Sequence, residues 1–395
     1  MADSPNTPGP SDTPGPGEGR KPGDKRDSRD GSEPRPLFET TTEWLRGEGE
    51  ASDVVLSSRV RLARNLAGLP FAAKSTKRDR QKTLDVCRDR VLRAGLAERL
   101  VWVDLHEAPA LERSLLVERH LISKQHSKGK AGSGAAPGDD PRGVAVSVPD
   151  ERLSIMVNEE DHLRIQAIRS GLALSAAWRE IDAADDKIEA GVEYAFSSRF
   201  GYLTACPTNV GTGLRMSVML HLPGLRLTGD IEKVKRAAND MSLAVRGFYG
   251  EGSEAVGDLY QLSNQTTLGK SEAKILQELE TEIIPRVIEY ERVSRRELVG
   301  KRRSGIEDQV WRALGLLTHA RLLTTEEAMQ NLSLVRLGLM IGVLKAPDQR
   351  VVNQMMLLVQ PAHLQRAVGK ELDQEQRRVA RAALLRGKMG RDGSS

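Results

Sequence analysis

A short apolar run, Ile155-Met156-Val157, leads without a break into Asn158-Glu159-Glu160-Asp161-His162-Leu163-Arg164. Two adjacent glutamates, a further acid, a histidine and an arginine beside a strand-like segment each carry a desolvation penalty if buried. Such a cluster is costly to place beside a strand unless its charge is the point. Two other stretches have the same character: Ser57-Ser58-Arg59-Val60-Arg61-Leu62-Ala63-Arg64 and Cys206-Pro207-Thr208-Asn209-Val210-Gly211-Thr212-Gly213-Leu214-Arg215. Together the three describe a site where several arginines grip a polyanion and a carboxylate handles a proton.

Composition removes competing classes. The chain has 395 residues, enough for one large domain and a smaller one. The formal charge is only +4 and aromatic residues make up 4%, which argues against a nucleic-acid surface built on basic stripes and base stacking. Cys87 and Cys206 form neither a metal spacing nor a disulfide framework, which favours a reducing compartment. No apolar run reaches the roughly 18 residues of a membrane span. The N-terminus has no hydrophobic signal core, so a cytoplasmic protein with no membrane partner is expected.

Residues 1–36, rich in Pro, Gly, Asp and Ser, read as a disordered tail. A mixed α+β catalytic domain is expected over 53–292 and a small all-α domain over 293–390. Val54-Val55-Leu56 reads as a short strand. Helices are expected at Arg78–Leu96 and Leu111–Ile122, and Lys124–Gly143 reads as a loop. Val144–Val148 and Leu153–Val157 read as strands turning at Pro149-Asp150-Glu151. Leu163–Ile181 reads as helical, with Ile188–Tyr194 continuing it. Leu203–Cys206, Met216–Leu222 and Leu259–Leu262 read as strands, Asp230–Val245 as a helix, and Ser271 as the N-cap of a long helix to Arg292. Thr324 and Glu327 form a capping box ahead of Ala328, Leu332, Val335 and Leu339, and Asp373 opens a last helix through Leu385. The apolar seams of these last helices suit a homodimer or packing within the chain equally.

Phosphate chemistry needs fixed positive charge, and the planar guanidinium fork supplies it. Arg59 and Arg61 alternate along an extended segment, so both point to one face, shared with Ser57. The Gly211-Thr212-Gly213 loop would bring backbone close to a ligand, with Arg215 beyond it; a plain turn fits the same residues. Gly269-Lys270-Ser271 lacks the glycine of a Walker loop. Glu159, Glu160 and Asp161 would serve either as partners of a helix dipole or as a proton acceptor. Cys206 is a candidate low-pKa thiol or simply core. No His or Cys partners recur at metal spacing, so His120 and His162 read as structural or ligand-contacting, and no protein-built metal site is expected.

These motifs, in this order, resemble the phosphagen (guanidino) kinases, and the resemblance covers roughly residues 53–292. It rests on Ser57–Arg61, Asn158–Arg164, Cys206–Gly213, and Arg246-Gly247 with Glu251 and Asn264. The family fold implied is an antiparallel sheet flanked by helices. The disordered tail in place of a helical N-terminal domain, the extra C-terminal helices and Leu116–Ser123 are similar to the bacterial protein arginine kinases of that family. The resemblance implies transfer of the γ-phosphate of ATP to arginine side chains of proteins, marking them for a chaperone-linked AAA+ unfoldase-protease, with an activator protein as a further partner. An enzyme acting on free arginine and an inactive adaptor are the alternatives.

It also implies site residues. ATP contacts fall on Ser57, Ser58, Arg59, Val60, Arg61, His120, Arg164, Arg215, Met216, Ser217, Val218, Met219, Arg246, Gly247, Phe248, Tyr249 and Gly250, with Mg²⁺ bridging phosphate oxygens. Glu160, then Glu251, would orient the guanidinium and take its proton. Cys206 would lie near the substrate and tune it without acting as a covalent nucleophile. Near the C-terminus, Arg377, Arg378, Arg381 and Ala382 align with a phosphoarginine-binding motif, except that Arg378 replaces its acid.

Overall fold

The computed structural model describes residues 42–129, 140–247 and 256–390. The tail over 1–36 and residues 130–139 of the loop expected at 124–143 lie outside them, as do Phe248, Tyr249, Gly250 and Glu251. In chain order the elements are β1 (Val55–Arg64), α1 (Lys77–Arg93), β2 (Leu100–Asp104), α2 (Ala110–Glu118), α3 (Lys124–Lys128), β3 (Gly143–Ser147), β4 (Leu153–Val157) and β5 (Leu163–Ser170). Then come α4 (Leu174–Glu189), β6 (Phe196–Ser197), β7 (Gly201–Tyr202), β8 (Leu214–His221), α5 (Pro223–Thr228), α6 (Ile231–Asp240), β9 (Leu243–Arg246) and β10 (Leu259–Asn264). Helices α7 (Glu272–Gln277), α8 (Ile284–His319), α9 (Thr325–Met340), α10 (Gln349–Leu358), α11 (Pro361–Val368) and α12 (Gln374–Met389) complete the chain.

Eight strands form one antiparallel sheet in the order β2-β3-β4-β5-β1-β8-β10-β9, while β6 and β7 make a separate hairpin. Strand β1 is central because Val55, Val60 and Leu62 supply one fully buried face. With Ile165, Ala167, Met216, Val218 and Leu262 they pack under α1, α4, α6 and the start of α8. Each such aliphatic side chain contributes about 2 kcal/mol on burial. Among the described residues the opposite face is covered only at its flanks. Val144, Val146 and Met156 pack under Leu116 and Leu121 at one end. Ile168 and Met219 pack with Leu332, Val335 and Met356 from the C-terminal helices at the other. The strip between is left for polar residues.

Several expectations needed correction. Leu163–Ser170 is a strand, because Leu163, Ile165 and Ala167 alternate with Arg164 and Gln166 across the sheet; helix begins only at Leu174. That helix stops at Glu189, short of Tyr194. The expected helix Asp230–Val245 ends at Asp240, and Leu243–Arg246 forms edge strand β9. Helix α2 ends at Glu118 because His120 takes a left-handed φ of 60°. Lys124–Lys128 is a helical turn capped by Ser123. Leu203–Cys206 lies outside any strand, and β1 runs on to Arg64. Ser271 caps α7 as expected, but the helical path continues through a π-helical segment and α8, past residue 292, with its only non-helical residue in α8 at Arg302. The expected capping box forms at Thr324/Glu327 and a second one at Asp373/Gln376, and each stabilises its helix by about 1 kcal/mol.

Candidate active site

Strand register assembles the polar strip. Arg61 stands opposite Gln166 of β5 and Arg215 of β8, Arg59 opposite Ser217, and Gln261 opposite Arg246. The period of two therefore aims Arg59, Arg61, Arg164, Arg215 and Arg246 from four strands into one cleft of about 460 Å³. Ser57, Ser217 and Met219 share this face and line a small recess beside Arg59 and His120. Val60, Met216 and Val218 lie on the other face, fully buried in the core, and the Ser58 hydroxyl donates to the Gly171 carbonyl at 2.9 Å. The side chains of those four face away from the cleft. Arg64, with the same wrong parity, is bonded to Asp185 (2.6 Å) and lies 3.6 Å from the Tyr202 ring centroid.

The arginines crowd one another. Burial, then Arg164, Arg215 and Arg246, hold the Arg59 guanidinium down to about 9, and burial, then Arg59, Arg164 and Arg215, push Arg61 well below its ordinary value. Arg59 donates to Gln261 Oε1 at 2.9 Å, while Nε of Arg61 is buried without a hydrogen-bond partner among the described residues. An anion with several oxygens would relieve this repulsion and satisfy those donors at once.

The acids are differently employed. Glu159 is buried; its Oε2 accepts from Arg164 Nη1 and from the Glu160 N–H, both at 2.8 Å, and its Oε1 from the Ser123 hydroxyl at 2.6 Å. Burial alone would raise its pKa, but Arg164, Ser123, His126 and the Glu160 amide hold it at about 2. Glu160 is the more exposed of the pair and lines the cleft. Asp161 accepts from Asn65 and from the Ala205 N–H, both at 2.6 Å. His162 Nδ1 accepts from the Leu66 N–H at 3.0 Å, so these two tie the motif to the end of β1.

Cys206, Thr208 and Asn209 close another side of the cleft, with Cys206 Sγ 3.0 Å from Thr208 Oγ1. The two loop glycines serve packing. At Gly213 φ is +65°, and an added Cβ would stand 2.6 Å from the Ala63 carbonyl; at Gly211 φ is +113°. His120 lines the cleft near Arg59, its ring edge-on to Trp44 at 4.9 Å. Burial, then Arg59 and Lys124, push its pKa down to about 3, so it is a neutral imidazole. Gly247 is buried at the end of β9. In α12 the Arg381 guanidinium is spent on the carbonyls of Val359 and Leu323, both at 2.8 Å, Arg377 donates to the Leu372 carbonyl, Arg378 pairs with Glu375, and Ala382 is buried. Sequence reasoning missed Glu159 as the organiser and missed Ser123, Gln166 and Gln261. Only the alternation of β5 could have pointed to Gln166.

Residues 88–294 match the family described as ATP:guanido phosphotransferase, C-terminal catalytic domain. Residues 303–394 match the protein-arginine kinase McsB C-terminal domain. A protein-arginine kinase of Symbiobacterium thermophilum is 47% identical over 351 residues, covering 88% of this chain and 96% of that protein. One from Moorella thermoacetica is 45% identical over 353 residues, covering 88% and 97%. Among solved structures, a lombricine kinase superposes with a TM-score of 0.51 at 28% identity, covering 62% of this chain and 68% of that one. The duplicated taurocyamine kinase of Schistosoma mansoni, solved with transition-state analogue components, gives 0.53 at 27%, covering 60% of this chain and 33% of its own length.

Proposed function

The chain belongs to the protein-arginine kinase family of ATP:guanido phosphotransferases, and from that premise we propose how its cleft moves the γ-phosphate of ATP to arginine side chains of proteins. The observation that carries the reading is the convergence of five arginines on a cleft that also presents Glu160. Arg59, Arg61, Arg164, Arg215 and Arg246 hold the triphosphate, whose charge replaces their mutual repulsion with bidentate bonds. His120, Ser57 and Ser217 lie at the recess beside Arg59 and take the neighbouring part of the nucleotide.

Among the described residues no three His, Cys, Asp or Glu side chains are grouped to hold a metal, and Glu159 is committed to Arg164 and Ser123. That donor set fits Mg²⁺ arriving on the nucleotide, with Glu160 as the adjacent carboxylate. When bound, the cation spreads the charge of the phosphate oxygens.

The substrate guanidinium is protonated at neutral pH, so its nitrogen has no free lone pair. Glu160 orients it and accepts one N–H proton. The nitrogen then bonds to the γ-phosphorus as the bond from phosphorus to the β-bridging oxygen breaks, and that electron pair leaves with ADP. Glu159 fixes the Glu160 backbone through the amide it bonds. Glu251 is the second carboxylate, and the 247–250 segment contacts the nucleotide. Cys206 borders the guanidinium and tunes it. Phosphorylated proteins would be marked for an AAA+ unfoldase-protease in the cytoplasm, with an activator protein and a homodimer as further parts of the reading. Phosphoarginine binding at Arg377 and Arg381 would have to displace carbonyl partners and meet Arg378 in place of an acid.

The test is incubation with Mg-ATP and either unfolded casein or free arginine, with products read by mass spectrometry under non-acidic conditions. Phosphate on casein arginines supports the reading. Label confined to free arginine assigns the cleft to small guanidino substrates, and label on neither points to a missing activator or an inactive adaptor, which nucleotide binding then separates.

A further inference from the structure

The stretch Glu118-Arg119-His120 ends α2, and each residue faces a different part of the molecule. Glu118 is buried and caps the first turn of α11. Its Oε1 accepts from the Ala362 N–H at 2.8 Å, and its Oε2 accepts from the His363 N–H at 3.0 Å and lies 2.7 Å from His363 Nδ1. Arg119 is buried too. Its Nε sits 2.7 and 3.0 Å from the two oxygens of Glu151, and its Nη1 is 3.4 Å from His363 Nε2. His120 then enters the left-handed region, at φ 60°, where a residue with a Cβ persists only if its surroundings over-determine it. Its carbonyl accepts from Gln166 Nε2 at 2.8 Å, and Gln166 is the cross-strand partner of Arg61.

The backbone that aims His120 at the cleft is thus clamped from behind by α11, an element of the C-terminal helices. We propose that Glu118 is a positioning residue: by capping α11 it makes the nucleotide affinity of the cleft depend on docking of the C-terminal helices. The proposal rests on the reading of His120 as a nucleotide contact. Glu118 touches neither substrate; it acts through the geometry of His120. A carboxylate suits the place because it accepts from two helix N-terminal amides and an imidazole together, which an amide side chain cannot do.

The test uses the full chain with Glu118→Gln, His363→Ala, the double variant and His120→Ala. The readouts are KM for ATP, kcat on casein, ADP affinity by calorimetry, and the urea midpoint as a check on folding. Glu118→Gln and His363→Ala are each expected to raise the KM for ATP about fivefold or more, with kcat at saturating ATP within about twofold. Because both break one clamp, the double variant is expected to be no worse than the more affected single. His120→Ala should weaken ADP at least as much. An unchanged KM in both clamp variants, with a raised KM in His120→Ala, overturns the coupling while leaving the nucleotide reading intact. An unchanged KM in His120→Ala overturns the nucleotide reading of His120 itself. If a clamp variant folds poorly, ADP affinity of the folded fraction decides, and wild-type affinity there overturns the proposal.

Discussion

Replacing Glu159 by glutamine separates two adjacent carboxylates that differ by one residue and, in this structure, by role. Glu159 receives Arg164, Ser123 and the Glu160 amide; glutamine keeps the shape but loses the charge. Holding the carboxyl at about 2, against an ordinary 4.5, is worth about 3 kcal/mol of folding stability at neutral pH. The sign follows from the depressed value. The contribution is complete above the unfolded value of 4.5 and is lost as pH falls toward 2, with about half remaining near pH 3. Urea unfolding of wild type and Glu159→Gln at pH 7 should differ by about 3 kcal/mol, and the gap should shrink to about half that near pH 3. Transfer to casein should fall as well, since Arg164 and the Glu160 backbone lose their common anchor. A gap below about 1 kcal/mol at pH 7, or one of the same size at both pH values, would refute the assignment of Glu159 as the charged organiser.

Glu160→Gln should lose at least a hundredfold in kcat, roughly the contribution of a positioned base, with an unchanged urea midpoint; normal casein phosphorylation by this variant would remove Glu160 as the proton acceptor. Arg215→Ala should raise the KM for ATP by about ten- to a hundredfold, the range for a charged hydrogen bond, as read by initial rates over an ATP series. Gly213→Ala should destabilise by about 1–3 kcal/mol, through a positive φ and a Cβ facing the Ala63 carbonyl, and the thermal midpoint checks it.

The chemistry of the cleft was legible because it depends on alternation. Arg59 and Arg61 face one way for the same reason that Val60 and Leu62 face the other, and a period of two is visible in any strand. Ser58, Val60, Met216 and Val218 belong to the same motifs with the opposite parity, and their side chains face the core. Strand β5 was hidden because Leu163–Ser170 abuts the apolar start of α4, and a short run of that kind fits either period. Nothing local marks Glu118, whose partners lie 244 and 245 residues away. Nor does the sequence tell Arg336 from a surface arginine. It is wholly buried, donating to the carbonyls of Ser52 and Asp53 and meeting Asn353 and His221, and such acceptors exist only once the C-terminal helices are docked.

Helix α8 opens beneath the sheet, where Ile284, Val287 and Ile288 join the catalytic core, and ends among the C-terminal helices, where Ile306, Val310 and Leu317 join theirs. One helix, kinked at Arg302, is therefore common property of both halves. A hybrid that grafts a foreign tail module onto this kinase at residue 292 would splice inside a helical turn. It would also strip Ile168 and Met219 of their cover, leaving an adhesive patch at the border of the cleft. A seam after α8, at Ala320, would keep the helix whole but remove the same cover, since Leu332, Val335 and Met356 lie beyond it, so a grafted module would have to supply apolar side chains there. Recombination between relatives should respect the same seam, so the helix and the catalytic half would be inherited as one piece.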